Sequence, residues 1–290
     1  MNNILLTGAN GFVGSYFKNI YDDKFNIQTF SFVKDDPESL CLNDIDVVVH
    51  LSALVHQMGG AAKEEYERVN LVQTLELAQK AKESGVEHFI FMSSVKVYGE
   101  ETDKPYSETS ICKPEDEYGK SKLKAENELN KLEDEKFKVS IIRTPVIYGH
   151  GVKANIKNLV RLVQKIPILP FGKIDNRRSI IYVGNLCFFI DVIIEQQKRG
   201  IFLVADEKSV STTELIDLIA MTLNKKVYLM RVPFFGKFLK MVKPSFYKRL
   251  FESLEVDNRD TLINLFGNEK VSLPYSIEDG IKFMIYGEAK

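Results

Sequence analysis

The sequence predicts an α/β protein with a doubly wound parallel sheet and a smaller C-terminal lobe. Three observations support this. Short apolar runs alternate with helical patterns over the first half of the chain, a glycine-rich turn directly follows the first run, and the alternation weakens after about residue 150. Strand–helix alternation is typical of a parallel sheet that is covered by helices on both faces.

Five short apolar runs predict the strands of this sheet. They cover residues 4–6, 26–30, 46–51, 89–92 and 139–142. The run at 46–51 is continuous enough for a strand buried on both faces. Between the runs, residues 66–84 and 118–133 carry helical patterns, and Gly85 provides a stop for the first of them.

The C-terminal half predicts helices at 155–164 and 212–223, with Ser211 or Thr212 as the N-cap of the second and Glu214 close behind. A run at 180–183 is expected to return to the sheet. We therefore predict a first domain over residues 1–150, which the chain rejoins at about 178–198. A lobe is expected over residues 151–177 and 199–290.

Composition excludes several classes of protein. The 290 residues contain 39 Lys and Arg against 40 Asp and Glu, a balance that does not favour nucleic acid as a partner. The three cysteines lie far apart and the four histidines lack zinc-ligand spacing, so neither a disulfide framework nor a metal site is expected. No membrane span or signal peptide is recognisable, which makes the cytoplasm the expected location.

The first apolar run ends in a phosphate-binding pattern. Gly8, Gly11 and Gly14 follow the strand directly and open a helix. Gly8 permits a tight turn, Gly11 lets backbone N–H groups approach a pyrophosphate, and Gly14 lets the helix pack closely on the strand. The helix N-terminus adds unpaired N–H groups and a partial positive charge. The pattern predicts a dinucleotide site.

The end of the second strand decides between NAD and NADP. Dinucleotide sites for NAD usually place an acidic residue there, which binds the ribose 2′-hydroxyl. Counting places Ser31 at this position with Lys34 nearby, a pair better suited to a 2′-phosphate, so NADP is slightly favoured. The alternative is an NAD ribose bound by Ser31, and Asp35 and Asp36 are close enough to confuse the count.

A Tyr-x-x-x-Lys pattern supplies a candidate acid/base. Tyr118 and Lys122 share one face of a helix, and a neighbouring ammonium favours the phenolate of a tyrosine. Ser94 lies at the end of the fourth predicted strand, where sites collect in such sheets, and its hydroxyl could bridge a substrate oxygen and the tyrosine. Together with the glycine turn, the three residues predict catalysis rather than an exposed helix pair.

Several ordered motifs cover residues 4 to about 186. They are Thr7-Gly8-x-x-Gly11-x-x-Gly14, His50-Leu51-Ser52-Ala53, Asn70-x-x-x-Thr74, Ser93-Ser94-x-x-Val97-Tyr98-Gly99, Tyr118-x-x-x-Lys122, Arg143-x-Pro145-x-x-Tyr148-Gly149 and Arg178-x-x-x-Tyr182-Val183. With them the chain resembles the extended short-chain dehydrogenase/reductase family, in particular its nucleotide-sugar epimerase/dehydratase/4-ketoreductase branch. The last hundred residues match only loosely.

The resemblance implies a Rossmann domain that binds NAD(P) and a small lobe that binds a nucleotide-sugar. It implies that Tyr118 is the acid/base, that Lys122 binds the nicotinamide ribose and lowers the pKa of the tyrosine, and that Ser94 orients the reacting oxygen. The cofactor contacts it implies are Gly8, Gly11, Phe12, Val13, Gly14, Ser31, Leu51, Ala53, Asn70, Ser93, Lys122 and Pro145.

For the substrate, the resemblance implies that Arg178 binds the diphosphate, because a guanidinium pairs phosphate oxygens bidentately. Surface charge next to Arg177 is the alternative interpretation. The further substrate candidates are Ser94, Lys96, Asn155 and Arg249. Relatives commonly dimerise through two helices, here 63–83 and 118–133, so a homodimer is a possible assembly.

The branch contains several reactions. Dehydratases of this kind carry an Asp-Glu pair after the catalytic Ser or Thr, but Val95 and Lys96 follow Ser94 here, so dehydration is not expected. A 4-ketoreductase and a 4-epimerase in polysaccharide precursor synthesis remain, with the reductase slightly favoured because Val146 and Ser31 depart from the epimerase pattern. The alternative is an NAD(P)-binding sensor without turnover.

One segment, residues 225–249, contains eight Lys and Arg, interleaved aromatic residues and no Asp or Glu. The favoured interpretation is a helix of the lobe that covers the substrate groove with its cations towards the diphosphate. A helix on a membrane surface is the less favoured alternative.

Overall fold

The computed structural model describes residues 1–55, 61–152, 155–268 and 271–288. Six strands form one parallel sheet in the order β2-β1-β3-β4-β5-β9, and two pairs of short strands, β6 with β8 and β7 with β10, lie outside it. The strands are β1 (Asn3–Thr7), β2 (Asn26–Phe30), β3 (Val47–His50), β4 (His88–Ser94), β5 (Lys138–Thr144), β6 (Val146–Tyr148), β7 (Ile168–Leu169), β8 (Ile180–Tyr182), β9 (Gly200–Leu203) and β10 (Tyr228–Leu229).

Helices cover both faces of the sheet and build the lobe. They are α1 (Phe12–Tyr21), α2 (Lys63–Glu67), α3 (Gln73–Glu83), α4 (Glu117–Leu132), α5 (Asn155–Lys165), α6 (Val183–Glu195), α7 (Thr212–Thr222), α8 (Phe235–Val242), α9 (Pro244–Phe251), α10 (Arg259–Phe266) and α11 (Ile277–Tyr286). A π-helical turn, Arg68–Val72, joins α2 to α3. In the described part of the chain, no helix is long and apolar enough to cross a membrane.

The predicted doubly wound sheet is confirmed. β3 is buried on both faces, as its continuous apolar run predicts, and apolar side chains pack against it from two separate clusters. Chain order reverses between β1 and β3, because β2 lies on one side of β1 and β3, β4 and β5 lie on the other. In open α/β sheets, ligands bind beyond the carboxyl ends of the strands at such a reversal.

Local sequence explains where the helices begin. Asp116 caps α4 by accepting a hydrogen bond from Gly119 N at 2.7 Å. Ser211 and Glu214 form a complete capping box at the start of α7, as the sequence predicts. The predicted helix over 66–84 is present but contains the π-helical turn, which no apolar periodicity indicated. Such turns occur frequently at functional sites.

One expectation about the sheet is wrong. The run at 180–183 does not return to the main sheet, because β8 pairs with β6 in a separate two-stranded sheet. The sixth strand is β9, which pairs with β5 in a register that runs from Ser140 opposite Gly200 to Arg143 opposite Leu203. β9 therefore lies in the sheet, although residues 199–290 were expected in the lobe. β9 is only four residues long, too short for its pattern to show which sheet it joins.

Candidate active site

The glycine turn has the geometry that its spacing predicts. Gly8 has φ +73°, which disfavours any side chain, and Gly11 N donates to Gly8 O at 2.8 Å. A Cβ on Gly14 would lie 2.3 Å from Gly8 O and 2.8 Å from Gly8 C. The start of α1 therefore packs against the turn more closely than any side chain would allow, and its N-terminus faces the carboxyl end of β1.

We predict that Gly14→Ala disrupts this turn. The new methyl group would collide with backbone atoms, so either α1 or the turn has to move. We expect NADH affinity to fall by at least about tenfold and the melting temperature to fall with it, since overpacking costs about 1–3 kcal/mol. Fluorescence titration with NADH and a thermal melt provide the two measurements.

Gly236→Ala is the matched control for this prediction. Gly236 lies in α8, where an added Cβ meets only ring atoms at 3.4 Å or more. Alanine is a better helix former than glycine, so this variant should bind NADH normally and melt at the same or a higher temperature. Equal behaviour of the two variants would contradict the role assigned to Gly14.

The ribose end of the site differs from the simple count. Ser31 follows β2, and the chain then turns so that Asp35 N donates to Ser31 O at 2.8 Å. Ser31 N in return donates to Asp35 Oδ2 at 2.8 Å. Ser31, Lys34 and Asp35 all line the same cavity. A carboxylate therefore stands at the end of β2 after all, four residues later than the count placed it.

Tyr118 and Lys122 both line this cavity, with Ser94 adjacent to the tyrosine. The Ser94 hydroxyl lies close enough to Tyr118 to favour its phenolate, and the rings of Tyr118 and Tyr66 lie 6.2 Å apart. Lys122 is only 2% exposed; its Nζ donates to Met92 O at 2.8 Å and lies 4.4 Å from the centre of the Phe91 ring. The structure thus brings the three predicted catalytic side chains together.

The electrostatics of the pair depart from the expectation. Burial raises the pKa of Tyr118 to about 12, although the nearby Ser94 hydroxyl acts in the opposite direction. Burial also lowers the pKa of Lys122 to about 7, against the attraction of Glu126. The charge of Lys122 is not among the influences on the Tyr118 pKa, so in the protein alone the predicted lowering of the tyrosine pKa is absent.

A buried charge network that the sequence analysis missed lies behind Lys122. Glu126, one helical turn further along α4, receives hydrogen bonds from Arg143 Nη2 at 2.6 Å and Nε at 3.1 Å. Ser93 Oγ also donates to Glu126, and Arg143 Nη1 donates to the Tyr98 hydroxyl at 2.7 Å. Both charged residues are almost fully buried. The network joins β4, β5 and α4 directly behind the catalytic face.

The cavity has a volume of about 480 Å³ and runs from the glycine turn to Tyr118. Ten of the twelve residues expected to contact cofactor line it, namely Gly8, Gly11, Phe12, Val13, Gly14, Ser31, Leu51, Ala53, Ser93 and Lys122. Lys34 and Asp35, both considered above for the ribose end, line it as well. The lining residues to which the sequence assigned no role are Ala9, Asn10, Thr29, Phe30, Ser52, Val55, Met92, Thr144 and Ile147. A glycine cradle, a helix N-terminus and an elongated cavity suit a dinucleotide.

Asn70 and Pro145 were expected to contact cofactor but are not among the lining residues. Asn70 is fully buried in the π-helical turn, where it accepts a hydrogen bond from Leu54 N at 2.8 Å and donates to Leu54 O and to Ser121 Oγ. It therefore ties the loop after β3 to α4. Asn70 therefore supports the wall of the cavity and does not line it.

His50, the last residue of β3, also fixes the start of the loop that follows this strand. Its ring nitrogens hydrogen-bond Thr7 Oγ1 at 2.7 Å and Thr74 Oγ1 at 3.0 Å. Burial, together with the nearby charge of Lys122, lowers the pKa of His50 to about 3. The imidazole is therefore neutral at neutral pH. Within the motif at residues 50–53, His50 has a structural role.

Arg178, the candidate for the diphosphate, is not among the residues that line the cavity. Its Nη1 donates to Glu252 O at 3.0 Å, and burial together with the neighbouring Arg249 lowers its pKa to about 10. Arg177 instead is exposed and pairs with Glu255 at 2.9 Å. Of the two adjacent arginines, Arg178 is thus the one held next to a second guanidinium, where their combined charge favours an anion.

Two further substrate candidates behave differently. The ammonium group of Lys96 lies 2.7 Å from Glu100 and 2.6 Å from Asp116. It therefore joins the turn after Ser94 to the start of α4. Lys96 does not line the cavity. Asn155 begins α5, but its side chain lies outside the described part of the structure. Among the residues that are described, no cluster of His, Cys, Asp and Glu has the arrangement of a metal site.

Residues 34–205, more than half of the chain, match the model of the NAD-dependent epimerase/dehydratase family. The chain belongs to this family. The motif resemblance to sugar-nucleotide enzymes is thereby confirmed. Within the family, the chain is 37% identical to a UDP-glucose 4-epimerase of Vibrio cholerae over 96% of its own length and 93% of that protein.

A second relative is named as the 4-epimerase of a sugar that is joined through a diphosphate to the lipid undecaprenol. This N-acetyl-α-D-glucosaminyl-diphospho-ditrans,octacis-undecaprenol 4-epimerase from Escherichia coli O157:H7 is 30% identical over 80% of this chain and 76% of that protein. Among solved structures, UDP-glucuronic acid 4-epimerase from Bacillus cereus, in complex with NAD, superposes with a TM-score of 0.77 at 19% identity, over 98% of both chains. The shared fold thus extends through the lobe.

Proposed function

We propose that the protein is an NAD-dependent 4-epimerase of a UDP-hexose or UDP-N-acetylhexosamine. The observation that carries this proposal is the convergence of Tyr118, Lys122 and Ser94 at one end of a dinucleotide-shaped cavity. NAD, when bound there, supplies a hydride acceptor and a positively charged ring. The chain's own residues then have to bind the sugar, position its C4 hydroxyl and move one proton.

Each catalytic side chain has a role that its surroundings support. Tyr118 removes the proton from the C4 hydroxyl and returns it after the sugar has turned. Ser94, whose hydroxyl lies next to Tyr118, orients the reacting oxygen. Lys122 is held by Met92 O in the cavity wall, where its ammonium group can bind the ribose hydroxyls nearest the reacting end. The raised pKa of Tyr118 means that activation depends on the cation that arrives with the cofactor.

Epimerisation is preferred to net reduction, which reverses the preference drawn from Val146 and Ser31. The chain aligns along almost its full length with a 4-epimerase. Ser31, one of the two departures, has the carboxylate of Asp35 fixed to its backbone, so the acidic group of the epimerase pattern is supplied from a nearby position. A reductase, which exchanges its cofactor in every turnover, remains the alternative outcome of the experiment below.

Asp35 also supports NAD over NADP. Its carboxylate lines the cavity at the end of β2, where it would accept a hydrogen bond from a 2′-hydroxyl and repel a 2′-phosphate. We predict that Asp35→Asn strengthens NADPH binding relative to NADH by about tenfold, because a like charge is removed. Fluorescence titration with both nucleotides measures the ratio.

Asp36→Asn is the control for that prediction. Asp36 is the next residue along the chain and accepts a hydrogen bond from Glu38 N at 3.0 Å, away from the cavity lining. It should leave the ratio unchanged. A wild-type protein that already binds NADPH more tightly than NADH would contradict the assignment of Asp35.

We also propose that Arg178 and Arg249 bind the substrate diphosphate. Arg249 is close enough to disfavour the charge of Arg178, and an anion between the two guanidinium groups would relieve this repulsion. The lipid-linked sugar in the name of the E. coli relative carries a diphosphate as well, so a polyprenyl-diphosphate sugar is the second candidate substrate.

A homodimer through α2, α3 and α4 remains a prediction.

The proposal is tested on the purified chain without added cofactor. Acid denaturation followed by mass spectrometry identifies any nicotinamide nucleotide that copurifies, and NMR follows UDP-glucose, UDP-N-acetylglucosamine and a polyprenyl-diphosphate N-acetylglucosamine for the C4 epimer. We expect bound NAD and an equilibrium mixture of epimers of at least one substrate. Oxidation of added NADPH in proportion to a 4-keto sugar would instead make the protein a reductase.

A further inference from the structure

A cationic, apolar face on the lobe has no role in the site described above. We define this basic face as residues 225–246, which comprise β10, the turn after it, α8 and the first residues of α9. Eight of the 20 exposed large apolar side chains among the described residues lie here, namely Tyr228, Met230, Val232, Phe234, Phe238, Met241, Val242 and Phe246. Soluble surfaces rarely concentrate apolar side chains in this way.

The exposed apolar side chains of α8 form a stripe. Phe235 and Leu239 face inward, with Phe235 against the Phe171 and Phe251 rings. Phe234, Phe238 and Met241 recur at the spacing of one helix face and are 77%, 57% and 78% exposed. The helix therefore satisfies its own packing with one face and presents a second apolar face to the outside.

Cations flank this stripe. Lys225, Lys226, Arg231, Lys237, Lys240 and Lys243 are all exposed, and none forms an ion pair with another described residue. The segment contains no acidic residue. Strand β7 pairs with β10 and places the exposed Ile168 next to Tyr228, and residues 155–174 are also free of acidic residues. The face thus combines protruding apolar groups with charge of a single sign.

We propose that the basic face docks on the surface of an anionic lipid bilayer, with α8 lying in the interface. Aromatic and aliphatic side chains flanked by lysines are the pattern of interfacial helices, which combine buried apolar area with attraction to anionic lipid. A second copy of the chain fits poorly, since two basic faces in contact would bring six cations on each side together with no carboxylate between them.

The basic face lies close to Arg178, the proposed diphosphate ligand. α9 follows α8 directly, and Arg178 donates to the Glu252 carbonyl just beyond α9. Lys248 of α9 pairs with Glu115 at 3.0 Å, near the start of α4. The bilayer would therefore lie next to the substrate side of the lobe. The inference concerns the outer face alone and does not depend on which sugar the cavity takes.

Vesicle co-sedimentation tests the proposal with the full chain. We expect it to pellet with phosphatidylglycerol–phosphatidylcholine vesicles at low salt, to stay in solution with phosphatidylcholine alone, and to dissociate from the anionic vesicles at high salt. Lys237→Gln/Lys240→Gln should lower the partition coefficient roughly 30-fold, since each cation near such a surface contributes about a fivefold factor. Phe238→Gln/Met241→Gln should lower it at least about tenfold.

Two double variants control for charge and apolarity elsewhere on the surface. Lys136→Gln/Lys208→Gln removes two other exposed cations, and Ile20→Gln/Ile263→Gln removes two other exposed apolar side chains. Both should pellet like wild type, and all four variants should retain the wild-type melting temperature and NADH affinity. Absence of wild-type binding at low salt would overturn the proposal. So would sedimentation-velocity dimers that only the basic-face variants abolish, because the face would then bind a second copy.

Discussion

Tyr118→Phe is expected to reduce kcat by about 10³-fold while NADH affinity stays within about threefold of wild type. The substitution removes only the hydroxyl that exchanges the proton with the C4 oxygen, and positioned acid/base groups contribute typically 10²–10⁴-fold. Phenylalanine preserves the ring that packs against Tyr66. The loss should therefore appear in turnover and leave the fold and the dinucleotide cavity intact.

Tyr286→Phe provides the same chemical change at a distance from the site. Its hydroxyl donates to Thr222 O at 2.9 Å on an exposed part of α11. This variant should retain wild-type kcat. Steady-state kinetics with NMR detection and NADH titration measure both quantities, and a Tyr118→Phe enzyme with at least a tenth of wild-type turnover would contradict the acid/base role. A variant with normal nucleotide binding and no turnover would also separate a catalyst from a nucleotide sensor.

Glu126→Gln is expected to be the most destabilising of the substitutions considered. Glu126 is 1% exposed and Arg143 3% exposed, and the carboxylate receives three hydrogen bonds from the guanidinium. The amide removes the charge and leaves Arg143 buried without a counterion. Breaking a buried pair in this way costs about 3–5 kcal/mol, which corresponds to a fall of about 10 °C in melting temperature.

A second effect of the same substitution should reach the active site. The charge of Glu126 raises the pKa of Lys122, so its removal leaves burial to lower that pKa further. The activity that requires a protonated Lys122 should therefore be lost at a lower pH than in the wild type, in addition to the loss of stability. Glu128→Gln, on the exposed side of the same helix with Lys131 at 2.6 Å, should change the unfolding free energy by less than about 1 kcal/mol. Melting temperatures of the two variants within about 2 °C of each other would contradict the role of the network.

Local sequence rules were sufficient for the parts of the site that depend on short-range geometry. The glycine turn is one such part, because its conformation and its close helix contact are specified within seven residues. The pairing of Tyr118 with Lys122 is another, since helical spacing alone places both on one face. The capping box of Ser211 and Glu214 was predictable for the same reason.

Features that depend on tertiary contact were not accessible from the sequence. Asp35 reaches the end of β2 because the chain turns back on Ser31, and a linear count places it too far along. Lys96 was expected at the substrate, but the fold brings Glu100 and Asp116 to its ammonium group. Glu126 and Arg143 meet only because α4 packs over β5. The strand β9 was assigned to the lobe because nothing in four residues shows which sheet they join.

The most direct test of the whole account uses UDP-glucose that carries deuterium at C4. The purified protein is incubated with this substrate without added cofactor, and NMR and mass spectrometry locate the deuterium in the product. We expect UDP-galactose with the deuterium retained at C4, because one bound NAD would take the hydride and return it within the same complex. Loss of the deuterium from the product, or epimer formed only on consumption of added NADPH, would contradict it.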